Sequence, residues 1–372
     1  MKILLLAGEE SGVLYARQIA DRLKGHEVRG YGDYGFRTED LAVMGVEEVL
    51  KSIFFLLRVK RTMERAIVEW RPDVVCTIDY PGMNLKLAAF AKARGIRTVH
   101  VVCPQVWAWK AGRIPKIERT FDRLCCFFPF EPALFRPGFA TFVGHPLVEQ
   151  FRKIKTEGAG VEKNGVTLAL LPGSRLGEIE KHLPVMLETL KSLNPPSNLR
   201  VEIPAANDRA YAAITRIVSD KSFFILHSSL FISHGGAREL LLRADCAVVA
   251  SGTATLEAAL AGCPTVLVYR ASPLFAFIAR RVIRGIRFVG LANIIWDKTL
   301  SALGTPPPME DAPMPELLQE NLTVDNLGKA LQPLLEDSSV REKYTERLDS
   351  AMKMLESRGE DAIGEIARTL EP

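Results

Sequence analysis

Asp79 is the residue of this chain whose position is best suited to proton transfer. It follows the apolar run Val74–Ile78, which is typical of a buried strand, and it opens a turn that contains Pro81. A carboxylate at the end of a buried strand would be partly desolvated, which favours a role as proton acceptor. Because Asp also forms turns and caps helices, a purely structural role is the alternative.

Two turns in the second half of the chain carry groups that could bind the phosphates and ribose of a nucleotide. In Pro172-Gly173-Ser174-Arg175 a guanidinium, suited to bidentate phosphate recognition, follows a tight turn. Ser251-Gly252-Thr253-Ala254 runs from a predicted strand into a helix, whose first backbone amides can bind phosphate without a lysine. Glu257 lies one helical turn further, where a carboxylate can accept hydrogen bonds from both ribose hydroxyls. The alternative is structural, with Thr253 as N-cap and Glu257 in a surface ion pair.

The loop Gly8-Glu9-Glu10-Ser11-Gly12 lies between the first predicted strand and a helix. Its glycines allow close approach of a ligand, and a helix N-terminus favours an anion. The loop lacks the glycine spacing of a dinucleotide site and the lysine of a Walker motif. Glu9, Ser11 and Gly12 are therefore candidate ligand contacts, and a tight turn with Ser11 as N-cap is the alternative.

Aromatic and basic residues follow two later strands of the first half. Trp107 and Trp109 are followed by Lys110, and together they could form a wall for sugar rings, acyl chains and phosphate. Core packing of at least one indole is the alternative. His145, in Val143-Gly144-His145-Pro146, could contact a donor phosphate or transfer a proton, and a structural histidine is equally consistent with its position.

Short apolar runs alternate with helical patterns along most of the chain, which predicts parallel sheets covered by helices on both faces. The predicted strands are Lys2–Ala7, Glu27–Gly30, Val74–Ile78, Thr98–Val102, Arg123–Phe127, Thr141–Val143, Thr167–Leu171, Val201–Ile203, Phe223–Leu226, Cys246–Ala250 and Thr265–Tyr269. We therefore expect an α/β protein with two doubly wound, Rossmann-like halves, joined near the polar segment 153–165. Ligands would bind in a cleft lined by the loops that follow strands.

Composition narrows the classes of function. The chain has 372 residues, of which 48% are hydrophobic and 25% charged, as in a globular protein of two domains. A net charge of +4 is too small to indicate nucleic-acid binding. The six cysteines lack metal-ligand spacing and mostly lie in apolar runs, which is typical of buried thiols in a reducing compartment. The N-terminus does not resemble a secretory signal, and the long apolar stretch from Cys246 to Tyr269 is interpreted as a βαβ unit because turns interrupt it.

In order along the chain, the motifs resemble those of the lipid-A-disaccharide synthase family, inverting glycosyltransferases of the GT-B fold. The resemblance covers roughly residues 2–295, and its most specific segments are Trp-Ala-Trp and Pro-Gly-Ser-Arg. The motifs are Gly8-Glu9-x-Ser11-Gly12, Ala42-Val43-Met44-Gly45, Pro72-Asp73-Val74, Ile78-Asp79-x-Pro81, Val106-Trp107-Ala108-Trp109, Phe128-Pro129-Phe130-Glu131, Val143-Gly144-His145-Pro146, Leu171-Pro172-Gly173-Ser174-Arg175, Ala250-Ser251-Gly252-Thr253-Ala254-x-x-Glu257 and Leu291-x-Asn293.

The resemblance implies a reaction and assigns residues to it. UDP-2,3-diacylglucosamine would donate its sugar to 2,3-diacylglucosamine 1-phosphate, giving a β(1→6) disaccharide and UDP. Asp79 would be the general base, Arg175, Ser251–Ala254 and Glu257 would bind UDP, and Asn293 would lie near the donor. No metal or cofactor is implied, so positive groups and helix dipoles would stabilise the leaving UDP. Val13 stands where the family often has Asp, which weakens the assignment of the first loop.

The resemblance also implies domain boundaries and a subcellular location. We expect an acceptor-binding domain at 1–160, a UDP-sugar domain at 161–325, and helices at 326–372 that can pack back on the first domain. The stretches Phe54–Leu57 and Phe275–Ile278, each followed by arginines, favour peripheral contact with the cytoplasmic face of an anionic inner membrane. Core-facing helices with solvated arginines are the alternative for each stretch. A homodimer is an open alternative to a monomer.

The rival functions are a UDP-GlcNAc 2-epimerase or another UDP-sugar transferase of this fold, and a GT-B protein that binds without turnover.

Overall fold

The computed structural model describes residues 1–8, 10–30, 46–157, 165–193, 198–219, 230–272, 281, 285–304, 306–359 and 361–371, with the backbone alone at 10–11 and 46–56. The chain forms two compact units. The first comprises Met1–Pro146 and Glu356–Pro372, and the second comprises Leu147–Leu355.

The first unit is built on a six-stranded sheet in which every described pairing is parallel. Its spatial order is β2-β1-β3-β4-β5-β6. The strands are β1 (Lys2–Ala7), β2 (Glu27–Arg29), β3 (Val74–Ile78), β4 (Arg97–Val101), β5 (Arg123–Cys126) and β6 (Ala140–Phe142). Every residue of β3 is buried, because a central parallel strand is covered on both faces and its sequence is accordingly a continuous apolar run.

Helices cover both faces of this sheet. They are α1 (Glu10–Arg22), α2 (Val46–Trp70), α3 (Pro81–Lys92), α4 (Ile114–Thr120) and α13 (Ala362–Leu370). Alternate residues of β1 face opposite ways, as a strand requires. Ile3 and Leu5 pack with α1 and α13, whereas Leu4 and Leu6 pack with α2 and α3.

The second unit repeats this plan with a second six-stranded parallel sheet, ordered β12-β11-β10-β7-β8-β9. Its strands are β7 (Val166–Leu171), β8 (Leu199–Ala205), β9 (Leu230–His234), β10 (Cys246–Ala250), β11 (Thr265–Tyr269) and β12 (Glu316–Leu318). The helices are α5 (Pro146–Glu157), α6 (Leu176–Leu193), α7 (Asp208–Val218), α8 (Ala237–Arg243), α9 (Thr253–Ala261), α10 (Leu291–Ala302), α11 (Val324–Glu336) and α12 (Ser338–Lys353). Helices α6, α7 and α11 contribute to one apolar core with β7, β8, β10 and β11.

Each sheet contains one point at which the winding direction reverses. In the first sheet the chain passes from β1 outward to β2 and then returns to place β3 on the other side of β1. In the second sheet it runs β7, β8, β9 and then returns to place β10 beside β7. In open α/β sheets ligands bind at the carboxyl ends of the strands that flank such a point. These strands are β1 and β3 in one unit, and β7 and β10 in the other.

The compact units divide at places that differ from the expected limits at residues 160 and 325. Helix α5 lies mainly with the second unit, where Gln150 accepts a hydrogen bond from Arg238 Nη1 at 3.2 Å. The C-terminal helices separate, because α11 buries its leucines in the core of the second unit whereas α13 buries Ile366 and Leu370 in the core of the first.

Several smaller predictions can be compared directly with the structure. The stretch from Cys246 to Tyr269 forms β10, α9 and β11, as predicted. Within the described residues, no helix combines the length and apolar content that a membrane crossing requires. All six cysteines are buried free thiols. The predicted strand Phe223–Leu226 and the stretch Phe275–Ile278 lie outside the described residues.

Candidate functional site

Asp79 lies at the carboxyl end of β3, beside the winding reversal of the first sheet. Three non-glycine residues here adopt left-handed backbone conformations, with φ of 50° at Asp79, 46° at Tyr80 and 74° at Val102, the last directly after β4. Such conformations are uncommon, above all for a β-branched residue, and they cluster at functional sites. The concentration of this strain at two neighbouring strand ends supports a functional role for the turn.

The Asp79 side chain is half-buried and locally fixed. Its Oδ1 accepts a hydrogen bond from the Tyr80 amide at 2.8 Å, and its own amide donates to the Val101 carbonyl at 2.9 Å. Asn84, from α3, donates to the carbonyls of Ile78 at 3.2 Å and Asp79 at 2.7 Å. The carboxylate is therefore oriented through Oδ1, and Asn84 fixes the backbone of the turn on which it lies.

The loop after β1 packs against this turn. A Cβ at Gly8 would lie 2.6 Å from the Tyr80 ring, so this position favours glycine, and one at Gly12 would lie 3.5 Å from the Ile78 carbonyl oxygen, within ordinary contact distance. The structure thus brings Gly12 to the Asp79 turn. Glu9 and the side chain of Ser11, predicted beside it, lie outside the described part of the chain.

The two tryptophans after β4 have different roles. Trp107 is only 9% exposed, and its Nε1 donates to Glu131 Oε1 at 3.0 Å, so its ring belongs to the core rather than to a ligand-binding wall. Trp109 is 38% exposed, with Lys110 Nζ 4.1 Å and Arg113 Cζ 5.8 Å from its ring centroid. Of the predicted pair, Trp109 is the indole that the structure leaves available to a ligand.

Glu131 was not singled out as a site residue from the sequence. It is buried, and its Oε2 accepts from the Phe128 amide at 3.1 Å while Oε1 accepts from Trp107. Burial raises the pKa of Glu131 to about 8. Its position could have indicated a site residue, because Glu131 lies five residues after the end of β5 and the loop after β5 lies beside the loop after β4.

His145 is buried after β6, against Phe127 at 5.1 Å and Phe128 at 6.0 Å between ring centroids. Burial lowers the pKa of His145 to about 4, so the ring is neutral at physiological pH. Gly144, with φ of 87°, precedes it, and a Cβ there would lie 2.7 Å from the Ser357 amide nitrogen. These contacts favour a structural role over proton transfer for His145.

Cys103, Cys126 and Glu131 have potential metal-ligand atoms within 4.8 Å of one another. The thiol pKa values of Cys103 and Cys126 are raised, which opposes the thiolate form that metal binding requires. Both oxygens of Glu131 already accept hydrogen bonds. We therefore interpret this group as core packing that supports the loop of Trp107.

In the second unit, the turn Pro172–Arg175 follows β7 and leads into α6. Glu178 caps the turn, because its Oε2 accepts from the amides of Ser174 at 3.2 Å and Arg175 at 3.4 Å, and its Oε1 accepts from Arg175 Nη1 at 2.9 Å. The Arg175 side chain is 81% exposed. An ion pair this exposed contributes little stability, so the guanidinium can exchange Glu178 for a phosphate at low cost.

The turn Ser251–Ala254 follows β10, the strand beside β7. Gly252, with φ of 154°, occupies the N-cap position of α9. Thr253 is the first helical residue, so it is not the N-cap that the structural alternative predicted. The Ser251 amide donates to the Val268 carbonyl at 3.0 Å, which ties the turn to β11. The first amides of α9 are thus presented at the winding reversal, as a phosphate site requires.

Glu257 is held by Arg238, a residue that was not predicted for the site. Arg238 Nε, in the first turn of α8, donates to Glu257 Oε1 at 2.8 Å, and Glu257 is only 14% exposed. Arg238 also donates to Gln150. This contact could not be predicted from the sequence, because the two partners lie 19 positions apart with a strand between them.

Asn293 is fully buried in α10 and bonded on both sides of its amide. Nδ2 donates to the Met314 carbonyl and to Glu316 Oε1, each at 2.8 Å, and Oδ1 accepts from the Met314 amide at 3.0 Å. Glu316 also accepts from the amides of Val289 and Gly290 at 2.9 Å, directly before α10. Asn293 therefore shapes the start of α10 from within the core.

Several solved structures are similar in fold to this chain. The S. aureus MnaA–UDP structure superposes with a TM-score of 0.61 at 12% identity, covering 98% of this chain and 94% of that one. UDP-GlcNAc 2-epimerase from Neisseria meningitidis bound to UDP-GlcNAc gives 0.59 at 11% identity over 99% and 98%. Spinosyn rhamnosyltransferase SpnG complexed with thymidine diphosphate gives 0.55 at 12% identity over the whole of both chains. The fold is therefore GT-B, and the sequence-based prediction of the fold class is confirmed.

Sequence comparison then identifies the family. The profile of the lipid-A-disaccharide synthetase family matches residues 3–368. The lipid-A-disaccharide synthases of Chromobacterium violaceum and Myxococcus xanthus are 34% and 33% identical to this chain, over 99% and 93% of it and 98% and 91% of their own lengths. The chain belongs to the lipid-A-disaccharide synthetase family, and it is a glycosyltransferase of lipid A biosynthesis, as the motifs predicted.

Proposed function

We propose that this enzyme transfers 2,3-diacylglucosamine from its UDP form to 2,3-diacylglucosamine 1-phosphate, forming a β(1→6) disaccharide and releasing UDP. The observation that carries the proposal is the position of the predicted loops. Asp79 and the glycine loop follow β3 and β1, and Ser251–Ala254 and Pro172–Arg175 follow β10 and β7, so each pair flanks the winding reversal of its own sheet.

The second unit would bind the donor. Arg175 would pair with the diphosphate, the amides at the start of α9 would bind the phosphate nearest to them, and Glu257 would accept bonds from the ribose hydroxyls. Arg238 supports this role of Glu257, because it fixes one carboxylate oxygen and leaves the other for a hydroxyl donor. Asn293 would act through the backbone that it orders rather than by touching the sugar.

The first unit would supply the base and bind the acceptor. Asp79 would remove the proton of the acceptor 6-hydroxyl as its oxygen bonds to the donor anomeric carbon, while the bond from that carbon to the UDP oxygen breaks. Attack from the face opposite UDP gives the inverted, β-linked product. Lys110 and Arg113, stacked near Trp109, would attract the acceptor phosphate.

The acyl chains of both substrates would place the enzyme at the cytoplasmic face of the inner membrane. On α2, Leu57 is 45% exposed and is followed by exposed Arg58 and Arg61, a combination that favours an anionic surface. A homodimer stays a prediction. Flotation of the purified protein with anionic or neutral vesicles tests the membrane contact, and equal recovery with both would contradict the charge-based docking.

The test of the reaction is release of UDP from the diacylated donor with and without the acceptor. We expect acceptor-dependent UDP release and formation of the disaccharide, whereas interconversion of UDP-GlcNAc without UDP release would support an epimerase instead. Arg175→Ala should weaken UDP binding by about tenfold or more, since charge-assisted bonds to phosphate are lost. Arg216→Ala, which removes an exposed arginine of α7 that pairs with Glu180 of α6, is the matched control.

A further inference from the structure

His182 lies in α6, seven residues into the helix, and it is completely buried. Its Nδ1 lies 2.9 Å from the Pro172 carbonyl oxygen, and its Nε2 lies 2.9 Å from the backbone nitrogen of Arg270. A carbonyl oxygen only accepts and a backbone N–H only donates. The two partners therefore require a neutral ring with its proton on Nδ1 and a lone pair on Nε2.

The two bonds connect turns that belong to different strands. Pro172 begins the turn after β7, which contains Arg175, and Arg270 is the first residue after β11. Strand β10 lies between β7 and β11 in the sheet, and its own turn is tied to β11 by the bond from Ser251 to Val268. The His182 imidazole thus connects the turns after β7 and β11, the two strands that flank β10, and the turn after β10 is the proposed phosphate site.

Other contacts fix the Arg270 side of this connection. The Arg270 guanidinium donates to the Leu322 carbonyl, and the Ala271 amide donates to Gln319 Oε1 at 3.2 Å. The position of Arg270 is therefore set by the protein interior, and His182 transmits that position to the carbonyl of Pro172. In contrast, Glu178 holds the same turn only from within α6.

We propose that His182 is a positioning residue of the nucleotide site, which holds the turn Pro172–Arg175 in register with the turn after β10 through its bonds to Pro172 and Arg270. This proposal rests on the assignment of the donor site to these turns. His182 touches no substrate in this scheme; it reduces the conformational freedom that the turn loses when a diphosphate binds.

The electrostatic surroundings keep the ring neutral. Burial is the main cause that lowers the pKa of His182 below its ordinary value; Lys181 and Arg270 lower it further, while the Pro172 carbonyl and Glu178 oppose the shift. A second ring proton would face the Arg270 N–H and break that bond. The connection is therefore intact at neutral and higher pH.

The test compares UDP affinity, measured by calorimetry at about pH 7, in three variants. His182→Leu keeps the approximate volume and removes both bonds, and we expect the dissociation constant for UDP to rise about tenfold. His182→Gln retains one donor and one acceptor, and we expect it to recover most of the affinity. Thr189→Val removes the buried bond from Thr189 to Val185 in the same helix, so it controls for destabilisation of α6.

Unchanged UDP affinity in His182→Leu would overturn the proposal, and so would equally weak binding by His182→Gln. Failure of the wild-type protein to bind UDP would instead refute the assignment of the donor site. If His182→Leu does not fold, the nitrogen resonances of the wild-type ring decide. A ring protonated on Nδ1, with Nε2 as acceptor both with and without UDP, supports the proposal, whereas a proton on Nε2 refutes it.

Discussion

Replacing Asp79 by Asn separates proton acceptance from the structure of its turn. The Asn carbonyl oxygen can still accept the bond from the Tyr80 amide, which is 2.8 Å long in the native turn. Asn also tolerates the left-handed conformation that the turn requires, with φ of 50° at this position. The substitution therefore removes the negative charge and the basicity while it preserves the local geometry.

The expected magnitudes differ between chemistry and stability. Loss of a general base lowers the turnover number about 100-fold to 10,000-fold, which corresponds to about 3–5 kcal/mol of activation free energy. The same substitution should change the free energy of unfolding by less than about 1 kcal/mol, because the bond to Tyr80 is retained. Asp79→Ala, in contrast, loses that bond and places alanine in a left-handed conformation, so it should destabilise by about 2–3 kcal/mol and confound the measurement.

The assay measures UDP release at saturating donor and acceptor, together with UDP affinity and thermal unfolding. Asp73→Asn is the matched control, since Asp73 lies just before β3, at the other end of the strand, and accepts a bond from the Lys2 amide at 2.7 Å. We expect Asp79→Asn to bind UDP like the wild type and to lose turnover, and Asp73→Asn to keep turnover. If Asp79→Asn kept more than about a tenth of wild-type turnover, Asp79 would not be the base.

Three further predictions follow from single contacts. Gly252→Ala should weaken UDP binding and lower the melting temperature, because φ of 154° strains any side-chain-bearing residue; isothermal titration and calorimetry measure both effects. Trp107→Ala should destabilise by about 3–5 kcal/mol in urea unfolding, whereas Trp109→Ala should leave stability nearly unchanged and raise the KM for the acceptor. Glu131 has a folded-state pKa of about 8, above that of an unfolded carboxyl, so ionisation disfavours the fold as pH rises towards 8; the stability of the wild type relative to Glu131→Gln should fall over that range, and a flat difference would contradict the buried acid.

Periodicity predicted the strands well because each central strand is buried on both faces and therefore apolar throughout. Its errors at strand ends have a physical cause. The strand predicted at Thr98–Val102 forms at Arg97–Val101, and it ends before Val102 because Val102 adopts a left-handed conformation with φ of 74°. Strand β12, at Glu316–Leu318, was not predicted because its three residues are half-buried and too few to show a pattern.

The candidate site was predictable as a set of loops and less so as a set of side chains. The rule that ligands bind after parallel strands selected the turns of Asp79, Arg175 and Ser251, and each lies at such an end. The rule could not show that Trp107 is buried and Trp109 exposed, because Trp107 is held in the core by Glu131, which lies in another loop. Nor could it find the pairing of Arg238 with Glu257, which exists only in the folded unit.

Arg175 and Arg238 differ in how strongly their carboxylate partners, Glu178 and Glu257, depend on them. Glu178 would lose only the exposed guanidinium of Arg175 when a phosphate binds, because its bonds to the amides of Ser174 and Arg175 persist. Glu257 is more deeply buried, and removing Arg238 from it would leave a poorly solvated charge. Arg175 is thus suited to move onto the diphosphate, whereas Arg238 is suited to stay with Glu257 and keep the ribose site in shape. Substitution of Arg238 should accordingly reduce stability as well as UDP affinity, and substitution of Arg175 should reduce affinity alone.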